Sequence, residues 1–410
     1  MKILISSGSF KDVYSPIQAC EVIRDVIESL QLDNISFDIV PMADGGEYSS
    51  DVLFKASNCK RISVKNIVNP YGKKIEAHYL ELDKNNAFIG SSEILGLSPE
   101  EEKYKNPLKL TSFGLGQLIL HAINNGYKNI FLGLGGTNTV DGGIGMVQAL
   151  GGVFFKSRSL KNNPSKYLTG NDLSKIRGIN LNEIKDKTKN VKLTAVCDAS
   201  ISIKEMYIPT NQKISSYFDD KRINIISNLE NSLKNYYQII MKTLSITNKW
   251  YNKDLINCKY LGVAGAINIG LLAVFNHRII LGSSYFSNLL DLEKKIQEAD
   301  LVLTGEGKFD NTLEGKTPAG VSRLSKKYNK PVLLLCGTTS SSLKKYFKSY
   351  VSNKLPLKIV NNGIQTIISC HPHYDNVTLP DKYSDRIELF IKNNPKIFRQ
   401  GLELFFQKNK

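Results

Sequence analysis

Short apolar runs that end in small residues alternate with amphipathic helical stretches along most of this chain, and nothing in the sequence constrains its fold more. Lys2–Ser6, Ile35–Pro41, Asn129–Gly133, Lys192–Cys197, Ala299–Thr304 and Pro331–Cys336 have strand length and strand composition. Between them lie helical signals such as Ser15-Pro16-Ile17-Gln18, with Ser as N-cap, Pro at the first position and Gln three after the cap. Ile17, Cys20, Ile23, Ile27 and Leu30 then fall on one stripe. This alternation argues for α/β architecture with a parallel sheet.

The pattern changes between Lys60 and Leu97, where RISVKNIV, KIEAHYLEL and NAFIGSS, separated by turn residues, predict antiparallel strands. Further helices are predicted near Gly114–Asn125, Ile223–Leu244 and Asp385–Gln407, and the Ser/Asn/Lys-rich segment 156–190 reads as loops. A length of 410 residues is natural for two domains. The layout predicts a first α/β domain formed by 1–65 and 290–410, interrupted by a second formed by 66–289.

Composition excludes several functions. No run approaches the ~20 apolar residues a membrane span needs. Met1 leads directly into a strand pattern without a signal-peptide layout, so a cytoplasmic protein is expected. The 6 cysteines are scattered with no Cys-x-x-Cys pair, as in a reduced protein without a zinc site. The net charge of +16 is spread in ones and twos, with no basic run interleaved with aromatics, so no nucleic-acid partner is expected. None of the 5 histidines sits in a glycine-rich turn, which weighs against His-based chemistry.

Strand ends carry glycine beside charge at SGSFKD (7–12), ADGGE (43–47), GGTNTVDGG (135–143) and TGEGKFD (304–310). Parallel sheets hold ligands at the carboxyl ends of their strands, and glycines there let backbone N–H groups approach an anion. Each glycine set taken alone is also what a tight turn requires. Together they gather Asp44, Glu47, Asp141, Asp198, Glu306 and Asp310, the residue type that holds Mg²⁺ and orients hydroxyls in phosphoryl transfer. Asp310 to Thr317 nearly spells a phosphate loop. It lacks the first glycine, has Pro318 directly after, and lies too far from the strand end at Thr304; only Lys316 is retained as a phosphate contact. No dinucleotide fingerprint is present.

The motifs VPMADGGE, NPLKLTSFGLGQLI, GLGGTNTVDGGIGMVQALGG, VCDAS, GVAGAINIGLLAVF and TGEGKFDNTLEGKTPAGV, in that order after SFK near the N-terminus, resemble the bacterial glycerate kinases of the class that includes glycerate 2-kinases. The resemblance runs from Met1 to about Cys370, with insertions around 156–190 and 338–355. It implies two α/β domains, one Rossmann-like and discontinuous, the other inserted. It implies transfer of the γ-phosphoryl group of ATP, with Mg²⁺, to a hydroxyl of glycerate or a related small hydroxy acid. By position it assigns Asp198 to orienting or deprotonating the attacking hydroxyl, with Lys11 and Asp310 in the reaction. Gly135, Gly136, Thr137, Asp141, Gly305, Glu306, Gly307 and Lys316 are assigned to the nucleotide. Ser9, Lys11, Gly45 and Gly46 go to the substrate, and Asp44 and Glu47 to the metal.

The sequence also departs from the family pattern. Gly8 stands where an acid usually precedes Ser-Phe-Lys, Gly90 where a Glu is usual, and Val140 where an amide is usual. Two glycines are missing from the run Gly262–Gly270, and Ser200–Ile203 replaces the usual D-N-P-L after Cys197-Asp198. The changes imply either a kinase with a reshaped, less polar acceptor pocket or a catalytically impaired relative acting as a ligand-binding or scaffold protein.

Overall fold

The computed structural model describes residues 1–10, 13–96, 106–156, 166–206, 222–245, 255–309, 316–339, 343, 351–352, 357–360, 363–371 and 383–408. Its strands, in chain order, begin with β1 (Lys2–Ile5), β2 (Ser36–Ile39), β3 (Lys60–Val68), β4 (Lys74–Glu81), β5 (Asn86–Gly90), β6 (Asn129–Leu134) and β7 (Val153–Phe155). They continue with β8 (Gly178–Asn180), β9 (Lys192–Cys197), β10 (Arg278–Leu281), β11 (Leu301–Phe309), β12 (Val332–Thr339), β13 (Val351–Ser352) and β14 (Ile364–His371). The chain divides into two compact α/β units, Met1–Asp44 with Gly282–Lys410, and Gly45–Leu281.

The first unit is built on a six-stranded sheet of order β13-β14-β12-β11-β1-β2, parallel except at β13. β1 lies between β2 and β11, with Ile3 beside both Phe37 and Leu301. The chain leaves β1 to one side and returns on the other. That reversal makes the carboxyl ends of β1 and β11 a topological switch point, the place where doubly wound sheets bind ligands. The helix Pro16–Glu28 starts as its sequence dictates: Gln18 N–H donates to Ser15 Oγ and Ser15 N–H to Gln18 Oε1. Such a cap stabilises a helix by about 1 kcal/mol. Its buried stripe of Ala19, Cys20, Ile23, Val26 and Ile27 packs with Ile3, Ile5, Leu303, Leu335 and Phe398. Each fully buried apolar side chain of this size contributes about 1.5–3 kcal/mol.

The second unit has a six-stranded sheet of order β10-β9-β6-β5-β4-β3. β5, β6, β9 and β10 are mutually parallel, while β3 and β4 complete the sheet antiparallel, as the 60–97 pattern predicts. Gly90 of β5 pairs with Gly133, and Leu134 of β6 with Cys197, so three strands end side by side. The core joins Phe154, Tyr236 and Leu233 to Leu132, Leu134, Ala195 and Val196's neighbour Cys197. No helix among the described residues is long and apolar enough to cross a membrane.

Several expectations need amendment. The first crossing between units falls at Asp44/Gly45, before the expected residue 65, because β3 pairs with β4 from Lys60↔Glu81 to Val68↔Lys74, with a register shift between Val64 and Ile67. The return falls at Gly282, before 290, because the helix Gly282–Leu289 packs on the helices Leu292–Glu298 and Thr317–Lys327. Segment 156–190 is not all loop where it is described: it holds the turn Gly170–Lys175, β8 and the helix Asn182–Thr188. Leu173, Ile176, Ile179 and Ile184 are buried there, a sparse apolar set hidden among lysines and asparagines. β11 and β12 run on past Thr304 and Cys336, pairing as far as Phe309↔Thr339.

Candidate functional site

In the first unit the β1–β11 ladder continues into the turn after β1. Ser6 N–H donates to Leu303 O (2.8 Å), Gly8 N–H to Gly305 O (3.0 Å) and Gly307 N–H to Ser9 O (3.2 Å). Gly305, Glu306 and Gly307 therefore lie inside a paired strand rather than in an open turn. Gly305 is needed for close approach: a Cβ there would stand 2.8 Å from Ser7 Oγ and 2.9 Å from Leu335 O. Phe10, 1% exposed, turns back to pair with Tyr14 and packs edge-on to Phe398. Ser9 is half-buried beside this turn. Lys316 is the N-cap residue of the helix Thr317–Lys327, whose Thr317 lies against Gly8.

That last contact decides what Gly8 does. A Cβ on Gly8 would stand 3.1 Å from Thr317 Cβ and 3.2 Å from its Oγ1. The side chain missing at position 8 leaves no hole, since Thr317 fills it. Val140 is likewise fully buried in the core of the second unit, so its apolar side chain serves packing.

In the second unit the carboxyl ends of β5, β6 and β9 gather the remaining motif residues. Gly45 (φ +96°) turns the chain where a Cβ would lie 3.0 Å from the Val196 carbonyl carbon, and its N–H donates to Ser49 Oγ (3.1 Å). Gly46 O accepts a hydrogen bond from Ser92 Oγ (3.4 Å). A Cβ on Gly135 would overlap the Asp198 carboxylate and stand 2.7 Å from Asp198 Cβ. A Cβ on Gly136 (φ +63°) would stand 2.7 Å from Glu47 Cγ and 3.2 Å from Ser92 Cβ. Two bare glycines thus form the floor on which Asp198 and Glu47 lie, both side chains partly exposed, with Thr137 half-buried just beyond. Asp44, the last residue of the first unit, is also half-buried.

Cys197 precedes Asp198, but burial pushes its thiol up to about 12, so it stays protonated and is no nucleophile. Asp141 is fully buried. Its carboxylate accepts from Ser112 N–H and Oγ (2.8 Å each), Gly143 N–H (3.0 Å) and Gly145 N–H (3.3 Å). Burial raises its pKa while these donors oppose the rise. The carboxylate thus builds the glycine turn from within. Across this turn lies the run from Gly262, in which Ala264, Gly265 and Ala266 are all left-handed (φ 50°, 67° and 66°). Gly142 N–H donates to Gly265 O (3.1 Å), tying the two loops together.

Asp198, Glu47, Gly45, Gly46, Gly135, Gly136 and Thr137 are thus brought together. Asp141 is instead buried within its own glycine turn, bonded to Ser112, Gly143 and Gly145, and Ser9, Gly305, Glu306, Gly307 and Lys316 belong to the first unit. Lys11 and Asp310 lie outside the described residues. Among the described residues no three His, Cys, Asp or Glu side chains gather into a metal cage. Three participants went unread in the sequence: Ser50, His78 and Glu93. A Cβ on Gly90 would stand 3.0 Å from both Glu93 Oε1 and Ser50 Oγ, and Glu93 Oε2 lies 2.7 Å from His78 Nε2. The only local signal was an acid in the first helical turn after Gly90.

The chain matches the model of the glycerate kinase family over residues 3–369. It is 31% identical over 415 aligned positions to a glycerate kinase of Bacillus cereus, covering 99% of this chain and 100% of that one. It is 29% identical to the glycerate 2-kinase of Escherichia coli K12, covering 84% of this chain and 87% of the relative. A solved structure from Salmonella typhimurium LT2, assigned as a glycerate kinase 2, superposes with a TM-score of 0.67 at 25% identity, covering 100% of this chain and 99% of that one.

Proposed function

From the premise that the chain belongs to the glycerate kinase family, we propose that it moves the γ-phosphoryl group of ATP onto a hydroxyl of glycerate or a related small hydroxy acid. It is a glycerate kinase-like phosphotransferase with an alcohol-group acceptor. The observation that carries the assignment of its chemistry is the Asp198 carboxylate lying on bare Gly135, beside Glu47, at the carboxyl ends of β6 and β9.

Phosphoryl transfer leaves a protein little covalent work; it must align the acceptor and stabilise charge. Asp198 orients the attacking hydroxyl and takes up its proton as the new P–O bond forms. Gly135 and Gly136 keep the floor open so that oxygen atoms of a ligand can approach the backbone. Lys11 and Lys316 neutralise phosphate oxygens or the acceptor's carboxylate, and Ser9 is a substrate contact. Carboxylates are the residue type that suits Mg²⁺, which uses one or two of them and completes its shell with phosphate oxygens and water. Glu47 and Asp44 would hold it, with Asp310 as the third candidate, and when bound it neutralises charge on the phosphates. Gly305, Glu306 and Gly307 would serve the nucleotide by shaping the switch point beside β1, since their backbone is engaged in the ladder.

Purified protein given ATP, Mg²⁺ and D-glycerate should release ADP, measured by a coupled assay. Release with another small hydroxy acid and not with glycerate would move the acceptor within the class. No release with any hydroxy acid would contradict the reading.

A further inference from the structure

Of the departures that touch the motif loops, Gly90 is the one whose bare Cα has polar side-chain atoms standing over it, one of them without a hydrogen-bond partner among the described residues. Ser50 is 2% exposed, and its Oγ has no hydrogen-bond partner among the described residues. Both Ser50 Oγ and Glu93 Oε1 stand 3.0 Å from where a Cβ of residue 90 would be. A buried hydroxyl left unmatched is costly, so native structures rarely leave one without a purpose. Glu93 is held from its other side: its buried Oε2 lies 2.7 Å from His78 Nε2. One carboxylate oxygen thus faces the His78 imidazole, and the other stands over a bare Cα beside an orphan hydroxyl.

Resting on the kinase reading above, we propose that Glu93 Oε1 and Ser50 Oγ bind a hydroxyl of the hydroxy-acid acceptor over Gly90, with His78 as the positioning residue that holds Glu93 in place. The polarity fits. A substrate hydroxyl donates to the carboxylate oxygen and accepts from the serine hydroxyl, so all three groups are matched. The position fits as well, because Gly90 ends β5 beside β6, whose Gly135 carries Asp198, and Ser92 lies against the same floor as Glu47. No covalent step is assigned to Glu93; it selects and orients the acceptor. The charged groups around His78 are Glu93 from the helix Ser91–Leu95, Arg61 from β3 and Asp51 from the helix Ser49–Ala56. Glu93 outweighs the rest and keeps the imidazole's pKa above its ordinary value.

The test compares wild type with Glu93→Gln, Gly90→Ala and His78→Gln. It measures kcat and KM for ATP and for D-glycerate, D-glycerate binding by calorimetry, and melting temperature. Glu93→Gln and Gly90→Ala are expected to raise KM and Kd for the acceptor about tenfold, the worth of a hydrogen bond to a charged group, with KM for ATP unchanged. His78→Gln is expected to give part of that rise and to remove the loss of acceptor affinity that wild type shows as pH climbs past the titration of His78. If wild type turns over while Glu93→Gln and Gly90→Ala leave acceptor KM and Kd unchanged, this inference fails alone. A fall in melting temperature with both KM values shifted equally also overturns it, since that is a structural role. Wild type that neither turns over nor binds D-glycerate overturns the kinase reading and the inference together. Binding without turnover leaves the calorimetric comparison to decide.

Discussion

Adding one methyl group at Gly135 should inactivate the protein while leaving it folded. The Cβ of Gly135→Ala would stand 2.7 Å from Asp198 Cβ and overlap the carboxylate itself. Carbon atoms in contact normally lie about 3.5–4.0 Å apart, so the Asp198 side chain must retreat by about 1 Å. Rotation of Asp198 can clear its carboxylate, but its Cβ moves only with the backbone at the end of β9, so the ends of β6 and β9 must also part by a few tenths of an ångström; Gly135 is not among the glycines with positive φ, so alanine itself suits its backbone. Displacement of a reacting group by that distance costs on the order of a hundredfold in rate. The assay is steady-state ADP release at saturating ATP and acceptor, with melting temperature and circular dichroism as controls. The expected result is kcat down about a hundredfold with an unchanged spectrum. A Gly135→Ala protein with wild-type kcat would refute the reasoning, because Asp198 would then not depend on its bare floor.

Gly8→Asp, which restores the acid usual in the family, should overpack against Thr317 Cβ at 3.1 Å and destabilise by about 1–3 kcal/mol in denaturant unfolding; no loss would mean that the space is open. Ala266→Gly should leave stability within about 1 kcal/mol of wild type, since relief of the left-handed conformation at φ 66° is offset by chain entropy and by loss of a methyl that is fully buried in the core. A loss of more than about 2 kcal/mol for Ala266→Gly would contradict that balance. The His78–Glu93 pair should make stability pH-dependent in one direction. The folded pKa of His78 lies above its ordinary value, so the contribution is complete below that ordinary value and is lost as pH rises through the folded one. Urea midpoints from about pH 5 to 8 should fall more steeply for wild type than for His78→Gln, and parallel curves would remove the pair from the account.

What the sequence made legible was local. The helix Pro16–Glu28 could be read because its capping box and stripe lie within one segment. β3 and β4 could be read because alternation and turn residues specify an antiparallel pair without help from elsewhere. The extension of β11 through Gly305-Glu306-Gly307 could not, because glycine in a strand is tolerated only when neighbours demand close approach, and Ser7 and Leu335 are distant in sequence. The same limit applies to the site. Asp198, Glu47 and the glycines beneath them were legible as residue types at strand ends. That Gly8 is filled by Thr317, that Val140 is core and that Glu93 stands over Gly90 all depend on partners that sequence spacing does not reveal. Ser50 and His78 carry no motif, and only the fold brings them to Glu93.

The central claim is that Asp198 handles the attacking hydroxyl, and replacing it by its uncharged isostere tests that most directly. Asp198→Asn, assayed at saturating ATP, Mg²⁺ and acceptor, should lose at least about a hundredfold in kcat with both KM values close to wild type. A kcat within a few-fold of wild type would contradict the account.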